Sequence, residues 1–325
     1  MNNFASRRRL EGLEPDNLLA FLALLGLLRA LETSRPEWFP RADWDLDQPP
    51  PRPILTIAEP VSQGLMCEAA AEGVGTLVAA IDFGSASDLK LNVSAARSLC
   101  QAASEGSATG DRYFAELCAA LISDAATDPK QTKVEPTPLA YPSVATSNFL
   151  KNFLALSKEE LPEKRSCDPS YPKTAAECIA QAVFEPWKRI DRPVGLRWDP
   201  DEAKRHAYQW RAPTKDPPTT QHGAHRLAIV GIAALTCAPV VSGSRVQLSV
   251  IGGAGVGDRF SFAWPIWTIP ASLASIRGLL SHPKLREPRA LQHLGVDHVR
   301  VTRRVSLDRL RNFTYAEPLE GNGAH

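Results

Sequence analysis

The feature that most constrains the fold is a stretch near the start of the chain that carries no polar side chain. From residue 18 to residue 28 every side chain is apolar or is glycine. A helix that is hydrophobic on all sides lies either in a membrane or in the interior of a protein. A membrane-spanning helix needs about 20 apolar residues, and Arg29 and Glu32 end this stretch too early. We therefore predict a central core helix over residues 17–31.

The residues around this helix indicate how it is built into the fold. Arg7, Arg8 and Arg9 resemble the charged leader of a signal peptide, but no small-residue cleavage site follows the apolar stretch. We expect Asp16 to cap the N-terminus of the helix. We expect Gly26 to allow another backbone to approach closely, because glycine has no Cβ.

Composition excludes several classes of protein. With 44% hydrophobic and 22% charged residues among 325, the chain is neither disordered nor membrane-embedded, and it is long enough for one large domain or two ordinary ones. Its six cysteines are scattered without a metal-ligand spacing. We therefore expect free thiols in the reducing cytoplasm and neither a metal nor another cofactor.

Charge divides the chain into two regions. Residues 1–165 carry 16 Lys and Arg against 22 Asp and Glu, whereas residues 166–325 carry 21 against 14. We predict an acidic, mainly helical region over 1–165 and a basic α+β region over 166–325, which could also form one composite domain. The basic half faces either an anionic partner or the acidic half of the same chain.

Periodicity predicts an α+β fold: a buried N-terminal helix, a helical N-terminal half, and a mostly antiparallel sheet with helices in the C-terminal half. Alternating residues 245–251 and 259–264 flank a glycine loop, so we expect these two strands to pair as a β-hairpin. A basic strand follows over 296–305. The predicted helices after the first cover residues 61–81, 95–103, 112–125, 174–188, 222–236 and 272–280, together with a short amphipathic helix that contains Phe149, Leu150, Phe153 and Leu154 and ends before Pro162.

Two short motifs resemble ligand sites, but ordinary structure explains both. The glycines of residues 252–257 invite a phosphate-loop interpretation, yet Asp258 stands where a nucleotide motif needs glycine, and a strand follows instead of a helix. A hairpin loop explains them better, although its tip with Asp258 and Arg259 could touch nucleic acid. His222 and His225 are three residues apart at a predicted helix start, where polar residues are common without a metal.

A third motif contains carboxylates that could support metal-dependent hydrolysis. Asp199, Asp201 and Glu202 follow Trp198. Two-metal chemistry needs ligands that converge from several segments, whereas acidic residues in a row often start a helix at its positive end. A metal-dependent nuclease built on these three residues is therefore a lesser alternative, and we predict no catalytic residue elsewhere.

The basic C-terminal segment is the best candidate for a binding surface. On a strand, Arg300 and Arg304 share one face, and Arg303 shares the other with three valines. Such a face suits phosphate groups, although charge also protects the edge of a sheet from aggregation. The predicted nucleic-acid contacts are Arg300, Arg303, Arg304, Arg309 and Arg311, extended by Arg197, Lys204 and Arg205.

Four segments resemble a known family. Residues 13–29 contain the pattern Pro-x-x-Leu-x-x-Phe-Leu-x-x-x-Gly-Leu-x-Arg, which is similar to the start of accessory or large-subunit-like proteins of type I-G (formerly I-U) CRISPR systems. Three later segments are also similar to that group: Leu-Arg-Trp-Asp-Pro at 196–200, Ala-His-Arg-Leu-Ala at 224–228, and Phe-Ala-Trp-Pro-Ile-Trp at 262–267.

The resemblance implies a non-enzymatic subunit or adapter of an RNA-guided DNA surveillance complex, in which base pairing with the guide reads the sequence and protein subunits contact backbone and one another. Its implied partners are CRISPR effector proteins or the helicase-nuclease, together with DNA or guide RNA, and no membrane. The alternative is a purely protein-binding adapter without nucleic-acid affinity, whose acidic half docks on a basic partner.

Overall fold

The computed structural model describes residues 6–110, 112–140, 149–163, 171–191, 196–202, 219–243, 245–307 and 310–319. Within them, eight α-helices and ten strands form the α+β fold that the sequence predicts, with a helical N-terminal half. The helices are α1 (Leu18–Ser34), α2 (Gln63–Ala79), α3 (Val93–Thr109), α4 (Arg112–Leu121), α5 (Phe149–Lys158), α6 (Ala175–Phe184), α7 (His222–Gly231) and α8 (Leu273–Leu280).

The strands form three antiparallel sheets. β1 (Ser6–Arg9), β2 (Arg41–Asp45) and β3 (Arg52–Ile57) make a sheet with the order β1-β3-β2. β4 (Cys237–Ser242) and β5 (Arg245–Val250) make a two-stranded sheet. The largest sheet has the order β10-β8-β7-β6, and β9 also pairs with β8; its strands are β6 (Gly253–Ala254), β7 (Ser261–Trp267), β8 (Val296–Leu307), β9 (Leu310–Phe313) and β10 (Glu317–Pro318).

Helix α1 is the centre of the core, as predicted, and every residue from 18 to 31 is buried. The expected cap at Asp16 is wrong. Asn17 is the last extended residue before the helix, and its Oδ1 accepts hydrogen bonds from the backbone N–H groups of Leu19 and Ala20 at 2.9 and 3.4 Å. Asp16 lies one residue too early to reach those donors, and its carbonyl oxygen accepts from the N–H of Ala316 instead.

Glycines bring the neighbouring helices against α1, which confirms the close approach expected at Gly26. A Cβ on Gly26 would overlap the carbonyl oxygen of Leu227 in α7, and a Cβ on Gly231 would overlap the carbonyl oxygen of Leu22 in α1. Gly73 places α2 in the same way against the carbonyl of Ala30. Backbone-to-backbone packing of this kind leaves no room for any larger residue.

Aromatic residues of β7 join the largest sheet to α1. The ring of Trp264 stacks on Phe21 with centroids 5.3 Å apart, and Phe262 contacts the same ring at 6.2 Å. The indole N–H of Trp264 donates to the carbonyl oxygen of Pro15 at 3.2 Å. The sheet is thereby fixed to the N-terminus of α1.

The predicted pairing of the two strands around the glycine loop is wrong. β5 pairs with β4 from Arg245 opposite Ser242 to Val250 opposite Cys237, and β7 pairs with β6 and β8. The turn at Gly243, which has a positive φ of 61°, is shorter than the glycine loop and closes the nearer hairpin.

Two further expectations concern the chain as a whole. The predicted boundary near residue 165 lies outside the described residues, and the division into two regions stays a prediction. In the described part of the chain, none of the helices has the length and apolar character needed to cross a membrane.

Candidate functional site

Strand β8 carries the predicted basic residues. The face that the sequence predicts to be exposed is the buried one, and Arg303 is exposed on the opposite face. The alternation is correct, with Arg300 and Arg304 on one side and Arg303 on the other. The side of Arg304 is the inner one, because Thr302 between these two arginines is completely buried and Arg304 is 4% exposed. Arg303 is exposed.

The prediction that Arg304 lies on an accessible face is therefore wrong. Its guanidinium lies over the ring of Phe260 at 4.9 Å and near Phe313 at 5.9 Å. Nη1 donates to the carbonyl oxygen of Gly257 at 2.8 Å, and Nη2 donates to that of Pro138. Burial lowers the pKa of Arg304 to about 9. This arginine holds the glycine loop and the 136–140 segment together rather than facing a ligand.

Two more of the predicted contacts are partly buried and bonded internally. Arg300 donates from Nε to His298 Nε2 and from Nη1 to the carbonyl oxygen of Ala316, both at 3.2 Å. Arg197, which has a φ of 63°, donates from Nη1 to the carbonyl oxygen of Glu202 at 2.9 Å. Three predicted contacts, Lys204, Arg205 and Arg309, lie outside the described residues, and Arg311 is placed in β9 by its backbone alone.

Two further arginines lie beside the exposed Arg303: the exposed Arg259 and the partly buried Arg286. We call these three residues the arginine patch. All three meet around Ser261 at the start of β7. Arg303 is paired with Ser261 across the sheet, Arg286 donates from Nη2 to the Ser261 carbonyl oxygen at 3.0 Å, and the exposed Arg259 precedes Ser261 by two residues. Sequence spacing could not reveal this grouping, because Arg286 reaches Ser261 only through a tertiary contact.

The carboxylates of the nuclease alternative belong to a buried polar junction at the N-terminus of α1. Asp199 is completely buried. Its Oδ1 accepts from Asn17 Nδ2 at 3.0 Å, and its Oδ2 accepts from Arg189 Nε at 2.8 Å. Asn312 Nδ2 donates to the carbonyl oxygens of Asp199 and Pro200 at 3.2 and 3.0 Å, so β9 is attached to the same point.

Glu202 faces a different partner. Its Oε1 lies 3.0 Å from His225 Nε2, and the other ring nitrogen of His225 lies 3.0 Å from Thr220 Oγ1. Burial by itself would lower the pKa of His225, but the charge and hydrogen bond of Glu202, the Gln221 carbonyl and the charge of Asp199 together raise it. The pair therefore links the 196–202 segment to α7 inside the protein.

These contacts do not bring all three carboxylates to one point. Asp199 and Asp201 both contact Arg189, Asp201 at 3.0 Å, whereas Glu202 contacts His225. Throughout the described ranges, no three His, Cys, Asp or Glu residues are grouped as metal ligands would be. The three carboxylates therefore hold segments of the fold together, and these residues do not form the metal site that the nuclease alternative requires.

The four segments on which the predicted family resemblance depends contact one another around this junction. The 13–29 segment contacts the 196–200 segment through Asn17 and Asp199, and it contacts the 262–267 segment through Pro15 and Trp264. The 224–228 segment joins them because the ring of His225 stacks on that of Trp198 at 6.4 Å with an angle of 9°. Residues far apart in the sequence thus form one structural unit.

Among the described cysteines, Cys67, Cys118 and Cys178 are buried and Cys100 and Cys237 are partly buried. The described ones, Cys67, Cys100, Cys118, Cys178 and Cys237, are free. Burial raises the pKa of Cys67, Cys118, Cys178 and Cys237 to about 12. Thiols that stay protonated at neutral pH are poor nucleophiles and poor metal ligands.

Replacing His222 with Gln should change how stability depends on pH. Burial lowers the pKa of His222 to about 4, so between pH 4 and the ordinary value of 6.5 the unfolded chain binds a proton that the folded protein excludes. Relative to His222→Gln, the wild type should therefore lose stability as the pH falls through this interval, by up to about 1.4 kcal/mol per pH unit. Denaturant unfolding of both proteins from pH 4.5 to 7.5 measures the difference, and parallel curves would contradict the burial effect.

Comparison of the chain with protein-family models, with curated proteins and with solved structures found no match.

Proposed function

We propose that the chain is a non-enzymatic subunit of a type I-G RNA-guided DNA surveillance system in the cytoplasm, and that it contacts nucleic acid through the arginine patch. Its protein partners in this proposal are effector-complex proteins or the helicase-nuclease. The observation that carries the proposal is the grouping of two exposed arginines, Arg259 and Arg303, with the partly buried Arg286 around Ser261. The convergence of the four family-like segments in one junction also supports it.

The chemistry of the patch suits a phosphate backbone. Guanidinium groups form short charge-assisted hydrogen bonds to phosphate oxygens, and each neutralised phosphate releases counterions, which makes binding depend on salt. Paired strand residues lie about 5 Å apart, so Arg303 and the residues around Ser261 are close enough to contact neighbouring phosphates of one strand. Contacts of this kind position a nucleic acid without reading its sequence.

Arg303→Glu should weaken binding to DNA or RNA by about tenfold or more at low salt. The slope of log Kd against log salt concentration should also fall by about one, because one phosphate contact is lost. Fluorescence anisotropy with labelled single- and double-stranded oligonucleotides at several salt concentrations measures both quantities. Stability should stay within about 0.5 kcal/mol of the wild type, because the side chain is exposed.

The matched control is Arg112→Glu. This variant makes the same charge change at an exposed residue at the start of α4, where an acidic side chain suits the helix dipole. Equal loss of affinity in both variants would mean that only the net charge matters. Tight binding that salt does not weaken would overturn the patch as the contact surface.

A protein-binding adapter is the second candidate function, and an exposed apolar strand favours it. Val240 and Val241 in β4 are 49% and 75% exposed. Exposed apolar side chains on a short two-stranded sheet are typical of surfaces that partners cover. The adapter predicts association with type I-G effector proteins and no measurable affinity for nucleic acid, so the anisotropy experiment separates the two functions.

Membership of the surveillance system has its own test. Purification of the chain from its native host should recover type I-G effector proteins or guide RNA, identified by mass spectrometry and RNA sequencing. The same purification after nuclease treatment shows whether the nucleic acid or the proteins hold the association. Recovery of neither effector proteins nor guide RNA would contradict the proposal.

A further inference from the structure

A cleft lies further along β8 from the arginine patch, between that strand and the segment after α8. It has a volume of about 500 Å³, which is within the usual size range of small-molecule sites. Leu291, Val296 and Val299 line it and are at most 7% exposed. These side chains form the packed floor of the cleft, and its volume is large enough for a purine ring.

Polar groups of both kinds line the same cleft. Arg289 and Gln292 are exposed and provide donors, and Glu287 and Asp297 provide carboxylate oxygens. His298 holds the Asp297 carboxylate in place, because its Nδ1 lies 2.8 Å from Asp297 Oδ2 while its Nε2 accepts from Arg300. A fixed acceptor therefore stands in a cleft that also contains an arginine.

The backbone at Arg289 adds a second, independent observation. Its φ of 63° lies in the left-handed region, which favours glycine or asparagine over a long side chain. Strained residues of this kind are concentrated at binding sites. Arg289 thus occupies a position where the backbone alone would favour glycine.

We infer that this cleft binds an unpaired guanine base. Guanine presents two acceptors, O6 and N7, to an arginine on one edge, and N–H donors to a carboxylate on another. The volume of the cleft accommodates a purine that stands outside a base stack. Arg289 and Asp297 are the groups that distinguish guanine from the other bases.

The cleft and the arginine patch lie on the same face of β8. Val299, which lines the cleft, and Arg303 are four residues apart, and alternation places both side chains on one side of the strand. Four residues of strand span about 13 Å. One single strand whose backbone contacts the patch therefore extends to the cleft, and in this respect the inference rests on the proposed function.

The first test uses free nucleotides, so that it does not depend on the patch. Saturation-transfer NMR with guanosine monophosphate should show binding, and thymidine monophosphate at the same concentration should show much less. Arg289→Gly and Asp297→Asn should each abolish the guanosine monophosphate signal. Arg289→Gly suits the backbone at that position, and circular dichroism and denaturation check that both variants fold.

The second test places one guanine in the centre of a thymine oligonucleotide. The wild type should bind it about tenfold more tightly than the same oligonucleotide with adenine or cytosine there. Arg289→Gly should remove the preference and keep the affinity for thymine, whereas Arg303→Glu should lower all affinities and keep the preference. The control Lys284→Ala changes an exposed charge near Arg289 that does not line the cleft, and it should preserve the preference.

The two proposals fail in different ways. Binding of guanosine monophosphate without affinity for oligonucleotides would keep the cleft and contradict the patch. Salt-dependent binding of oligonucleotides with no preference for guanine, together with equal signals from guanosine and thymidine monophosphate, would support the patch and overturn the cleft. Persistence of the guanine preference in Arg289→Gly would also overturn the cleft.

Discussion

Gly26→Ala is expected to destabilise the protein by about 3 kcal/mol, at the upper end of the usual cost of overpacking. The added methyl group would overlap the carbonyl oxygen, the carbonyl carbon and the Cα of Leu227. These are backbone atoms inside α7, so no change of rotamer makes room and the two helices must separate. Gly231 approaches α1 from the other side of the same crossing, and a shift there exposes the centre of the core.

Gly75→Ala is the matched control in α2. Nothing lies within 4 Å of the position that its Cβ would occupy, so the only effect is on the backbone of the helix. Alanine should stabilise the protein there by about 0.5–1 kcal/mol. Denaturant unfolding followed by circular dichroism gives both free energies. Equal effects at Gly26 and Gly75 would show that the crossing tolerates a larger separation than the structure shows.

The buried helix and its close neighbour were predictable because local sequence carries the information. An uninterrupted apolar stretch too short for a membrane requires burial on all sides, and Gly26 in its middle indicates a crossing. Helix α6 was equally predictable: the helix expected over 174–188 begins after Thr174, whose Oγ1 accepts from the N–H of Glu177 at 3.1 Å. Capping and periodicity act over a few residues, so one sequence is enough to read them.

The prediction for β8 assigned the wrong face to the interior. Alternation shows which residues share a face of the strand, but it does not show which of the two faces is buried. An arginine is more often exposed than a valine, and that preference places Arg304 outside. Contacts of the Arg304 guanidinium with Phe260, Gly257 and Pro138 offset the free-energy cost of its burial. All three come from other segments, and no pattern within β8 indicates them.

The same limit applies to the polar junction and to the cleft. Asn17 and Asp199 are 182 residues apart, and no pattern in either segment indicates that the two residues are in contact. The left-handed backbone of Arg289 is likewise set by the turns around it and leaves no mark in composition or spacing. Local sequence thus predicted most elements of the fold, whereas the sites depend on contacts between distant segments.

Asp199→Ala should lower the free energy of unfolding by about 3 kcal/mol. The substitution removes the closest charge partner of the partly buried Arg189 and the acceptor for the side-chain Nδ2 of Asn17. The exposed pair of Arg97 and Asp124, 3.1 Å apart, provides the control. Asp124→Ala should cost no more than about 1 kcal/mol, since exposed ion pairs contribute little.

A double-mutant cycle separates the charge pair from the cavity that alanine leaves. Arg189→Met should itself destabilise the protein, because the Asp199 carboxylate is completely buried. Removing both partners should cost less than the sum of the single losses, with a coupling energy of about 2 kcal/mol. The cycle requires denaturant unfolding of the wild type and three variants at neutral pH.

The sign of the Asp199 effect also decides between the structural role of the junction and the nuclease alternative. Residues that serve catalysis are often kept at the expense of stability, so their removal frequently stabilises an enzyme. A structural carboxylate gives the opposite result, a loss of stability that depends on Arg189. A more stable Asp199→Ala variant with no coupling to Arg189 would therefore argue against the junction as a structural element, and metal-dependent cleavage of DNA lost in that variant would establish the nuclease in its place.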